Sequence, residues 1–199
     1  MNKQPLSLLL KHKEEIFTFI HEKRKWNAIT AQFVLLSLVG FALFGVVIST
    51  LTPHWWFTGQ LSWKMIALLW GPTIICTPSL YVFSTIRGSR VPLPELAQLL
   101  CGMLATSAIV LLALAPISWF FTWTTDGIGF IQLMNGVMIG LSLVFGIFFF
   151  AKGMMVLNKK IAGDEKTTRF SPDILLVWFI LLLIVVVQMS DKLGPWYLQ

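Results

Sequence analysis

Charge is what this chain has least of. Of its 199 residues 12% are charged and 56% hydrophobic, and the mean hydropathy is +0.78. Soluble domains run at about 25% charged and about 45–50% apolar. That excludes an ordinary soluble domain and points to a polytopic membrane protein. Cysteine is nearly absent too. Cys76 and Cys101, both in apolar segments, form neither a disulfide framework nor a metal-ligand pattern, and are expected to be small buried hydrophobes. The three histidines, His12, His21 and His54, lie outside the apolar segments and pair with no carboxylate or cysteine at metal spacing, so no zinc site is expected.

The chemistry-bearing patterns are missing as well. GIG at Gly127–Gly129 lacks the rest of a phosphate-cradling loop. No serine has a histidine and an acid in its own layer, as a hydrolase needs. The middles of the apolar segments hold no Asp, Glu, Lys, Arg or His, although catalysis and ion transport inside a membrane usually require such groups. The expectation is therefore a protein that is not an enzyme, with no catalytic residues, no metal and no cofactor. A cleavable signal peptide is not expected either. MNKQPLSLLLKHKEEIF has only a short apolar run before a charged cluster, and the first long apolar segment should act as an uncleaved anchor.

What is present is a set of long greasy runs. About 20 apolar residues cross a hydrocarbon core, and five segments qualify: 27–52, 61–85, 96–122, 128–151 and 173–190. The fold class expected is all-α, a five-helix transmembrane bundle over 27–199. A cytoplasmic amphipathic segment, 1–26, precedes it. There LSLLLKHKEEIFTFIHEKRK brings Leu6, Leu9, Leu10, Ile16, Phe17 and Ile20 near one face, which suits a helix lying in the headgroup plane or docking a partner protein. The last span should start cleanly at Ser171-Pro172-Asp173. Its continuous apolar run from Ile174 to Val187 suggests a peripheral, lipid-facing helix.

Thirteen of the 15 basic residues fall on one side of this map. Lys3, Lys11, Lys13, Lys23, Arg24 and Lys25 precede the first span; Arg87 and Arg90 follow the second; Lys152, Lys159, Lys160, Lys166 and Arg169 follow the fourth. Only Lys64 and Lys192 lie opposite. The positive-inside rule then puts the N-terminus in the cytoplasm and the C-terminus outside. Basic loops also account for the net charge of +6 without nucleic acid. Trp26, Trp55, Trp56, Trp63, Trp119, Trp123, Trp196 and Tyr197 are placed to form interfacial belts.

Four polar features remain. Asn135 stands beside Gly136 and Gly140, a G-x-x-x-G pair whose expected use is helix packing or partner contact. Gln188 and Asp191 end the fifth span; their convergence with Asn135 on a cavity would favour a membrane enzyme. Glu95 opens the third span, close in sequence to Arg87 and Arg90 across a short loop, where an ion-pair cluster could form. Pro72 and Pro78 should kink or break span two, and Pro116 should bend span three. Irregular backbone at depth must be covered by protein or line a wet cavity, so spans two and three are expected at the bundle centre. Thr73, Thr77 and Ser79 are available to satisfy carbonyls that the prolines free. Broken helices also occur at transport sites, which makes a transporter, channel or lipid-handling protein the alternative to a packing role.

The order LLWGPTIICTPSLYVFSTIRGS, LLALAPISWFFTWTT, FIQLMNGVMIGLSLVFGIFFFAKGM, VQMSDKLGPW resembles a group of small bacterial inner-membrane proteins of Yip1-like type. They have five spans and a cytoplasmic N-terminus. The resemblance covers most of the chain from Asn27 onward. The group's C-terminal arginine-proline-phenylalanine stands here as Leu193-Gly194-Pro195-Trp196, and Trp70-Gly71-Pro72 lies within span two. Yip1 proteins act in membrane trafficking through partner binding, so the resemblance implies neither an enzyme nor an assigned ligand. The function expected is that of a scaffold or accessory subunit of a membrane complex. Its partners would be the lipid bilayer and other membrane proteins or further copies of itself.

Overall fold

A computed structural model describes residues 26–49, 55–86, 91–125, 127–162 and 172–193. Five helices occupy them: α1 (Trp26–Ser49), α2 (Trp55–Ile86), α3 (Leu93–Thr124), α4 (Ile128–Ala162) and α5 (Pro172–Leu193). Each is long and apolar enough to cross a membrane. In hydrocarbon every backbone polar group must find its partner within the protein, and a helix meets that demand within its own segment. The amphipathic segment before Trp26, together with Arg87 and Arg90, lies outside the described residues.

The helices run further than the apolar runs alone suggest. α4 has 35 residues, about 52 Å at 1.5 Å per residue, and it carries Lys152 well inside the helix, where a loop was expected. Lys152 is exposed on the bilayer side; its long stem can lie along apolar surface while the ammonium reaches the headgroups. Apolarity sets where a span can sit, but helical hydrogen bonding continues past the hydrocarbon edge.

Of the kink or break expected at the prolines, the break is not there. α2 continues through Pro72 and Pro78, and α3 through Pro116. Nearby hydroxyls bond the backbone, though not at the carbonyls four residues before each proline. Thr73 Oγ1 donates to the Leu69 carbonyl (2.8 Å), Thr77 Oγ1 to Thr73 (2.6 Å) and Ser79 Oγ to Cys76 (2.8 Å). Such side-chain bonds are among the adjustments that let proline persist in membrane helices. Nor do the prolines mark a common centre: Pro72 is buried, while Pro78 and Pro116 are exposed.

Around the bundle the order is α4, α3, α1, α2, α5, with α3 packed between α1 and α4. The most central helix is α3, packed against α1 and α4 and touching α2. α2 and α3, expected to form the centre together, meet only slightly, and α2 packs on α1 instead. α5 rests on α2, touches α4 lightly, and exposes Leu176, Val177, Ile180 and Val187. It is the peripheral helix that its all-round apolar sequence suggests.

Lipid tails are as apolar as leucine, so close packing rather than water exclusion holds such helices together. Glycine makes that approach possible. A Cβ on Gly45 would stand 2.6 Å from the Cα of Ser62, so α1 and α2 touch backbone to backbone there. A Cβ on Gly146 would stand 2.8 Å from the Met103 carbonyl and run into Ser107 Oγ. Gly40 against Ala108, Gly102 against the Phe149 ring and Gly71 against Met189 are similarly close.

Trp178 joins three helices. It is 1% exposed, it stacks on Phe150 of α4 with centroids 5.8 Å apart, and its indole Nε1 donates to the Cys76 carbonyl of α2 at 3.0 Å. A buried indole usually finds an acceptor; this one lies two residues before Pro78, where Ser79 Oγ also donates.

Candidate functional site

α3 and α4 run antiparallel, and one polar contact ties the C-terminal part of α3 to the N-terminal part of α4. Ser118 Oγ donates to Asn135 Oδ1 at 2.7 Å, both residues fully buried. Thr122 Oγ1 donates in turn to the Ser118 carbonyl (2.8 Å). The same register sets Ser107 against Gly146 deeper in the bundle. Asn135 thus does what one of its expected roles requires: it hydrogen-bonds across a helix contact. Such bonds in membranes average about 0.6 kcal/mol and reach about 1.7 kcal/mol. Ser118→Ala should therefore lower stability by about 1 kcal/mol, since it leaves Asn135 Oδ1 without its donor inside the bundle. A Ser118→Ala/Asn135→Leu double variant should recover part of that loss, because removing both partners leaves no orphan. Unfolding in SDS, followed by circular dichroism, measures both.

Gly136 and Gly140 take no part in this contact. One residue of helix is about 100° of rotation, so Asn135 turns toward α3 while Gly136 turns away. Gly136 is exposed and Gly140 half-buried, and a Cβ on either would meet no atom within 4 Å. Among the described residues neither glycine packs against another helix of the chain, and the space that they leave opens outward. Leu133, Val137 and Leu141 flank it, all exposed. The result is a shallow notch on the bilayer side of α4, lined by small residues and rimmed by large apolar ones.

The other candidate residues lie apart. Gln188 and Asp191 are exposed on α5, away from the α3–α4 interface that holds Asn135. Asn135, by contrast, is fully buried. Glu95 lies in the first turn of α3, 7% exposed. The N–H groups of Glu95 and Leu96 both donate to the Pro92 carbonyl, at 3.0 and 3.2 Å. A carboxylate there also favours the positive end of the helix. Trp63, Trp119 and Trp123 are widely exposed, as residues of an interfacial belt would be. Among the described residues no three His, Cys, Asp or Glu side chains are grouped to hold a metal ion.

Two features escaped the sequence reading. Trp178 sits near the start of a uniformly apolar run, where an aromatic with a polar N–H was the available signal for a buried anchor. Gly45 opens Gly45-x-x-x-Ser49 and Gly146 closes Ser142-x-x-x-Gly146, small-xxx-small spacings that were the available signal for close helix approach.

No family model matches the chain, and no curated protein or solved structure matches it either.

Proposed function

We propose that this chain is a non-catalytic, multi-pass protein of a bacterial inner membrane that works by contact, as a scaffold or accessory subunit of a membrane protein complex. Its contact surface is the outward notch of α4 around Gly136 and Gly140. The observation that carries this reading is a contrast among the glycines. Gly40, Gly45, Gly71, Gly102 and Gly146 each lie where a Cβ would come within 3 Å of a neighbouring helix. Gly59 and Gly129, at the starts of their candidate spans, meet nothing within 4 Å, and neither do Gly136 and Gly140 further along α4. A glycine costs a helix roughly 1 kcal/mol relative to alanine. Five glycines offset that cost by letting helices of this chain approach; Gly136 and Gly140, spaced as G-x-x-x-G, would do so against a helix of another chain. The Yip1-like order of motifs points the same way, toward partner binding.

The experiment is purification in a mild detergent, followed by mass determination of the particle. A stoichiometric membrane partner or a defined homo-oligomer is expected. A monodisperse monomer that brings nothing with it contradicts the proposal.

The proposed orientation has the N-terminus in the cytoplasm and the C-terminus in the periplasm. It is supported by the basic residues before α1, after α2 and along the end of α4. In a background with Cys76 and Cys101 replaced by alanine, Ser7→Cys should react with an impermeant maleimide only after the membrane is opened. Leu198→Cys should react in intact spheroplasts. Reaction of both from the same face contradicts the orientation.

A further inference from the structure

We draw no further inference here: the strongest candidate, the buried Gln98 carboxamide near the start of α3, whose nitrogen and oxygen both lack hydrogen-bond partners, lies nine residues and therefore about half a turn from the Ser107 face that meets α4, and nothing among the described residues is shown converging with it on a ligand.

Discussion

Trp178→Ala is expected to free α5 from the bundle, at a cost of about 2–4 kcal/mol. Truncating a buried aromatic costs about 3–5 kcal/mol in a soluble core. Part of that is transfer from water, which lipid does not reproduce. What remains is lost packing. The ring fills the junction of α2, α4 and α5 at 1% exposure and stacks on Phe150. α5 has few other holds: Leu182 and Val186 are buried, and Met189 lies over Gly71. Trp178→Phe separates ring from hydrogen bond. It keeps most of the stack and removes only the donor to the Cys76 carbonyl, which still accepts from Ser79 Oγ. Its expected cost is about 1 kcal/mol. SDS unfolding gives both values, and limited proteolysis in detergent shows whether α5 comes away first. Equal effects of the two substitutions would mean that the indole N–H rather than the ring holds α5.

The second large effect concerns glycine. Gly45→Leu should be among the most damaging single changes in the chain, because the new side chain would have to enter the backbone of α2 at Ser62. Overpacking typically costs about 1–3 kcal/mol, and backbone cannot yield as the end of a flexible side chain can. The two helices would have to part, and Ser62 Oγ, which donates to the Ala42 carbonyl at 3.2 Å, would lose its acceptor. Gly136→Leu, the same substitution on a helix of the same bundle, should leave the fold intact, since nothing lies within 4 Å. Its unfolding midpoint should match or exceed that of the unsubstituted protein, because leucine is the better helix former. Loss of folding in Gly136→Leu would place that glycine inside the bundle and remove the notch.

Much of the architecture was legible because bilayer thickness acts on sequence almost directly. Five runs of sufficient length became five helices, and the all-apolar α5 became the peripheral one. Asn135 as a cross-helix hydrogen-bonding residue was legible for a related reason: an amide at depth needs a partner. The neighbours of each helix were not legible. Apolar residues surround these helices with little sidedness, so periodicity could not say which face meets which helix. Hence α2 and α3 were expected to form the centre together, whereas α3 packs mainly between α1 and α4. The prolines were expected to kink or break their helices; α2 and α3 continue through them. The hydroxyls of Thr73, Thr77 and Ser79, expected at the freed carbonyls, bond Leu69, Thr73 and Cys76 instead. The two-glycine motif could be read as a spacing, but its direction depended on which side of α4 faces α3, and that is a property of the assembled bundle.

Native mass spectrometry from mild detergent, on the unsubstituted protein and on Gly136→Leu/Gly140→Leu, tests the contact surface most directly. The unsubstituted chain should fly as an oligomer or with a membrane partner. The double variant should fly as a lone chain, with unchanged helix content and an unfolding midpoint no lower. The same assembly in both samples would place the contact elsewhere, and a lone chain in both would contradict a role exerted through contact.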